Sequence, residues 1–170
     1  MKPTRRNLPL LLLHAREAAL AHLRPIMKRF GLTDQQWRIL RALSEARDGL
    51  EPGRIAETCK IPKPSLTGIL SRMAEMKLIE REVSELDQRR QRISLTAKGV
   101  ALVDRMAPLI DRQYRRIEIM IGVETLSDTY RTLDTVLALL SRSRTSSTVH
   151  RDAKLRSKRR RDAGYGTPRA

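Results

Sequence analysis

Arg89 and Arg90 follow Asp87 closely in the segment SELDQRRQ, with Arg92 just beyond it, between two short stretches of strand character. Guanidiniums gathered on a hairpin tip can pair with phosphates or enter a narrow minor groove, where the negative potential of duplex DNA is enhanced. Standing alone, such a run is usually just a solvated turn. What precedes it gives it meaning. In the segment KPSLTGILSRMAE, Leu66, Ile69, Leu70 and Met73 fall at i, i+3, i+4 and i+7, one buried stripe of a helix. Stepping about 100° per residue sets Gly68, Ser71, Arg72 and Glu75 on the opposite face. That face is small and polar near its start. A major groove admits such a helix with its N-terminal side chains against base edges. Gly68 costs about 1 kcal/mol against alanine within a helix, yet it lets the backbone approach a surface closely. Lys63, at the head of the helix, joins the same DNA-contacting set.

These residues need a frame to hold them. Apolar Leu13, Leu20, Leu23, Met27 and Phe30 recur at helical spacing from about Asn7 to Phe30, and Gly31 closes that helix. Thr33 with Gln36 is a capping-box pattern ahead of WRILRAL, predicting a second helix that stops near Asp48-Gly49. A third follows Pro52-Gly53 through RIAETC, and Pro62 and Pro64 bracket the turn into the fourth. Ile79 to Val83 and Arg92 to Thr96 read as two strands with the arginine-bearing loop between them. Thr96 then caps a long helix with Leu102, Met106, Leu109, Ile110 and Ile117 on its apolar side, which Pro108 is expected to kink or divide. Gly122 ends it, and Leu126, Tyr130, Leu133, Leu137 and Leu140 mark a last helix.

The expected fold is mainly α (α+β): a winged helix-turn-helix with N- and C-terminal helices forming a homodimer interface. A small winged helix alone cannot cover the apolar surface those outer helices carry. A two-fold dimer would present two reading helices to a palindromic site; an intramolecular three-helix packing is the alternative. The expected boundaries are 1–32 for an N-terminal dimerisation helix, 33–99 for the DNA-binding domain, 100–141 for C-terminal dimerisation helices and 142–170 for a basic, disordered tail.

Charge and composition agree with a polyanion partner. The chain of 170 residues carries a net charge of +16. Residues 1–140 hold 25 Lys+Arg against 17 Asp+Glu and residues 141–170 hold 10 against 2, so half the excess belongs to the tail. The tail either adds salt-sensitive DNA affinity or only solubilises. The single Cys59 excludes an internal disulfide framework and fits a reducing compartment, with helical packing as its role. The basic start and apolar Leu8 to Leu13 resemble a signal sequence, but His14, Arg16 and Glu17 break the run too early for a signal core or a membrane span. A cytoplasmic protein is expected. No catalytic residues, metal site or cofactor are expected: the sequence lacks a Cys/His metal spacing, a nucleophile motif and a phosphate-binding glycine loop, and its histidines are His14, His22 and His150.

SLTGILSRMAEMKLIERE followed by LDQRRQRISLTAKG resembles the recognition helix and wing of MarR-type transcriptional regulators. LLHAREAALAHLRPIMKRFGLTDQQWRILRAL is similar to the N-terminal half of the subgroup that represses homoprotocatechuate (hydroxyphenylacetate) degradation operons. Together the matching segments span roughly residues 10–140. The resemblance implies a homodimeric repressor on a palindromic DNA operator, released when a phenolic acid binds between the dimer helices and the winged helix. By position, Ser65, Thr67 and Arg72 would face the major groove, and Arg89 would be the wing arginine. Many relatives carry an acidic residue where this chain has Ser71, so an ion pair from that position to the wing cannot be assumed.

Arg16 lies in the apolar stripe of the first helix, about 40° around from Leu20, where a charge is costly unless paired. Two readings stand: it binds the carboxylate of a small aromatic acid effector in bidentate fashion, or it pairs with an acidic side chain or snorkels at a dimer rim. Trp37 either walls the same pocket or is plain core. His14 and Arg38 are further effector-site candidates. The leading function is a ligand-released repressor of aromatic-acid catabolism; the alternative is a constitutive, ligand-independent DNA-organising protein.

Overall fold

The computed structural model describes residues 5–46, 48–84 and 87–141, of which 83, 84 and 87–90 are described as backbone only. Asn7 caps α1 (Leu8–Arg29), its side-chain oxygen accepting from the Leu10 N–H at 3.1 Å. Pro9 sits in the first turn, where a missing N–H costs nothing. The helix closes at Gly31 (φ 68°) with the Leu32 N–H reaching back to the Met27 carbonyl at 3.0 Å. Both bonds of the capping box form at the head of α2 (Asp34–Ser44): Gln36 N–H to Thr33 Oγ1 at 3.2 Å, and Thr33 N–H to Gln36 Oε1 at 2.8 Å.

The second helix is shorter than its sequence predicts, ending at Ser44 rather than near Asp48-Gly49. Its apolar pattern runs out at Leu43, and the chain tightens through i to i−3 bonds at Ala46 and Gly49. Gly49 (φ 72°) serves a different purpose from a helix cap. A Cβ there would lie 2.6 Å from the Ile93 carbonyl oxygen, so only glycine lets the next residue, Leu50, exchange two 2.9 Å backbone bonds with Ile93.

α3 (Pro52–Thr58) and α4 (Lys63–Glu75) form the helix-turn-helix. Leu66, Ile69, Leu70 and Met73 are all buried, as their spacing predicts. β1 (Ile79–Ser84) and β2 (Asp87–Leu95) pair antiparallel, with Ile79 opposite Leu95 and Arg81 opposite Ile93. β2 begins at Asp87, so Arg89, Arg90 and Arg92 belong to a strand and not to a loop. Alternating apolar residues reveal a strand only where one face meets the core. Ile93 and Leu95 do so; Gln91 and Arg92 pair through the backbone with Val83 and Glu82, and beyond them the register shifts at Val83/Ser84, so the start of β2 leaves no apolar signature.

Thr96 Oγ1 accepts from the Gly99 N–H at 3.1 Å and starts α5 (Ala97–Ile121). The helix passes through Pro108 without dividing, and Met106 and Ile110 on either side of it are both buried. A Cβ on Gly99 would sit 2.1 Å from the Leu78 carbonyl oxygen, so α5 lies too close to the chain ahead of β1 for any side chain at that position. Ile39, Leu40, Ile55, Met73, Leu78, Ile93 and Met106 are the most deeply buried large side chains, drawn from α2, α3, α4, the sheet and α5. The architecture is a winged helix: mainly helical, with one two-stranded antiparallel sheet.

The chain divides into two units, residues 1–117 and 118–170. The described part of the second comprises the end of α5, Gly122 (φ 90°) and α6 (123–141). Ile119, Val123, Leu137, Leu139 and Leu140 are exposed in it. The predicted tail, 142–170, lies outside the described residues. Among the described residues no helix is long and apolar enough to cross a membrane.

Candidate nucleic-acid and effector sites

By burying one stripe, α4 turns its other side outward. Lys63, Ser65, Thr67, Gly68 and Arg72 are exposed, and Ser71 is half-buried. Nothing lies within 4 Å of a Cβ built on Gly68, so the molecule itself does not require glycine there. Arg72 folds back along the helix, its Nε donating to the Gly68 carbonyl at 3.4 Å. Ser71 is met from the wing: Arg81 Nη2 donates to Ser71 Oγ at 3.2 Å. A cleft of about 240 Å³ opens beside this contact, bordered by Lys63, Thr67, Arg81 and Gln91 over Leu66 and Leu70.

Arg81 and Gln91 are absent from the candidates chosen by motif. Period-two alternation from the buried Ile79 would have put Arg81 on the same sheet face. Beyond the core's edge, that face meets α4. Arg92 is engaged elsewhere, its Nη1 donating to the Asp48 carbonyl at 2.7 Å and fastening β2 to the turn after α2. Asp87, Arg89 and Arg90 occupy the start of β2, and their side chains lie outside the described residues.

Two of the four effector candidates, Arg16 and Arg38, converge on an acid that pattern reading passed over. Asp34, the first residue of α2, lies 2.8 Å from Arg16 Nη2 and 3.3 Å from Arg38 Nη2 through the same oxygen, Oδ2. An acid in a first helical turn is favoured there by the exposed N–H groups, which is the signal that could have singled it out. Arg16 also pairs with Glu17 at 2.7 Å, and Glu17 with Arg24. A hydrogen bond from Arg24, with the attraction of Arg24 and Arg16, holds the Glu17 carboxyl below the usual carboxylate range. Arg16 is thus exposed and paired rather than sunk in an apolar stripe, matching the ion-pair reading of its sequence position.

Arg38 is the more enclosed of the two. Its Nη1 donates to the Cys59 carbonyl at 2.5 Å, while its Nε is buried with no hydrogen-bond partner among the described residues. Trp37, next to it, is buried in the core, and His14 is exposed on α1. Cys59 is itself buried, and burial pushes its thiol above the ordinary range against the opposing effect of Arg38. Among the described residues, no cluster of His, Cys, Asp or Glu could hold a metal ion.

Residues 30–90 match the model of the MarR family. The chain is 42% identical over 133 residues to the homoprotocatechuate degradative operon repressor of Escherichia coli, covering 78% of this chain and 89% of that protein. Among solved structures, the transcriptional regulator PA4135 superposes with a TM-score of 0.74 at 36% identity, over 78% of this chain and 96% of the other. NadR in complex with 4-hydroxyphenylacetate superposes with a TM-score of 0.68 at 34% identity, over 80% and 96%.

Proposed function

The chain belongs to the MarR family of transcriptional regulators, and from that premise we propose that it is a homodimeric repressor, released from a palindromic operator by a small phenolic carboxylic acid. The observation that carries this reading is the division of α4: four apolar residues buried on one side, and Lys63, Ser65, Thr67, Gly68 and Arg72 exposed on the other. A helix so divided can lie in a major groove, with short polar side chains near its N-terminus reaching base edges. Lys63 and the wing residues Asp87, Arg89 and Arg90 complete the DNA-contacting set.

Dimerisation accounts for apolar surface that one chain leaves open. Leu8, Leu10, Leu11, Leu12 and Leu13 on α1 and Leu137, Leu139 and Leu140 on α6 are all exposed. Residues 1–32 and 100–141 supply the interface, 33–99 read DNA, and 142–170 form a basic tail. The effector is an aromatic carboxylate because a 42% identical relative is named for repression of a homoprotocatechuate operon and a 34% identical structure holds 4-hydroxyphenylacetate. Arg16 and Arg38 are its anchors, with Trp37 and His14 nearby. Asp34 bridges the two arginines, so a carboxylate that exchanged for it would alter the link between α1 and α2. The protein works in the cytoplasm on genes of aromatic-acid breakdown.

Equilibrium titration onto palindromic and random duplexes, with and without 4-hydroxyphenylacetate, tests the proposal. Preference for a palindrome and its loss on adding the acid are expected. Equal affinity for both duplexes at physiological salt would instead indicate a ligand-independent DNA-organising protein.

A further inference from the structure

Resting on the DNA-binding reading above, we propose that Arg81 is a phosphate-binding residue of the wing, held in place by a neutral tether to Ser71. Arg81 stands on β1 opposite Ile93, and its guanidinium crosses to α4 to donate to Ser71 Oγ at 3.2 Å. A serine hydroxyl fixes the direction of the side chain without cancelling its charge. Among the described residues no carboxylate pairs with Arg81. An acidic residue at position 71 would form an ion pair there and neutralise it. One of the five guanidinium N–H donors is used by Ser71, and the others remain for a ligand.

The surroundings suit a phosphodiester of duplex DNA. The adjoining cleft of about 240 Å³ gathers two cations, Arg81 and Lys63, with the Thr67 hydroxyl and the Gln91 amide over an apolar floor of Leu66 and Leu70. Arginine meets phosphate with a planar fork and lysine with a point charge. The cleft lies between α4, the hairpin beside it and the start of α3 at Pro52 and Gly53, a place open to a strand of the duplex backbone when α4 lies in the groove. A contact of this kind reads no sequence; it sets the register of the wing against α4.

Anisotropy titrations of a palindromic and a scrambled duplex over a salt series test the assignment, with thermal melts showing that each variant is folded. Arg81→Gln should weaken both duplexes by a similar factor and lower the slope of log affinity against log salt by about one. Arg81→Lys should keep the slope. Ser71→Asp, which leaves Arg81 in place but pairs it, should lower the slope as Arg81→Gln does, and Ser71→Ala should cost affinity only while Arg81 is present. A wild-type slope in Arg81→Gln, or a loss confined to one duplex, overturns the proposal. A wild-type protein that binds neither duplex overturns the DNA-binding reading itself, and the role of Arg81 with it.

Discussion

Arg16 on α1 and Asp34 at the head of α2 are joined Nη2 to Oδ2 at 2.8 Å, tying the amino-terminal helix to the entry of the DNA-reading domain. With Arg16 nearly half exposed, such a pair contributes at most about 1 kcal/mol. Arg16→Ala should therefore melt close to the wild type and keep most of its operator affinity. Release by 4-hydroxyphenylacetate should be greatly weakened, because of the two proposed anchors only Arg38 remains to receive the carboxylate. Anisotropy of an operator complex titrated with the acid checks this, and undiminished release would put the carboxylate elsewhere.

Contacts formed within a few residues were legible before the fold was known. The Thr33–Gln36 box, the α4 stripe and the Thr96 cap each depend on neighbours three or four positions apart, so composition and spacing determine them. The bonds from Arg16 to Asp34 and from Arg81 to Ser71 span elements, and nothing local encodes which surfaces will meet. The length of β2 was hidden for a different reason: Gln91 and Arg92 pair through the backbone, which every sequence can do, and the register shift beyond Val83 breaks any alternating pattern.

Gly68→Ala should separate stability from function. No atom lies within 4 Å of the added methyl group, so the helix should gain up to about 1 kcal/mol from alanine's higher propensity. Operator affinity should fall if the α4 backbone lies against the duplex at this position. Melting temperature and affinity would then move in opposite senses; affinity that holds or rises would show that Gly68 stands clear of the DNA. Gly99→Ala is the contrasting case, since its methyl group would meet the Leu78 carbonyl oxygen at 2.1 Å. A loss of about 3 kcal/mol is expected there, seen as a lower urea midpoint.

Arg92 and Arg89 should respond differently although both belong to β2. Arg92 is committed to the Asp48 carbonyl, so Arg92→Ala should cost about 1 kcal/mol of stability and leave the salt slope of DNA binding alone. Arg89→Ala should leave the melt unchanged. It should flatten the salt slope if its guanidinium touches phosphates, or weaken A·T-flanked sites most if it enters the minor groove. An Arg89→Ala protein with neither change would remove that residue from the interface.

Cys59 makes the stability of the fold depend on alkaline pH. Burial raises its thiol above the ordinary value of about 8.5, so the unfolded chain gives up this proton at a lower pH than the native one. The contribution of the protonated thiol is fully present below the unfolded value and is lost as pH rises from there through the folded value. Urea midpoints should fall over that interval in the wild type and fall less in Cys59→Ala, which removes the group while keeping a small apolar side chain. The native thiol should also react with iodoacetamide at pH 8 far more slowly than in urea, because the thiolate is the nucleophile and both burial and protonation withhold it. Equal rates in the two states would mean that the pocket between α2 and the end of α3 opens readily, and would contradict its place in the core.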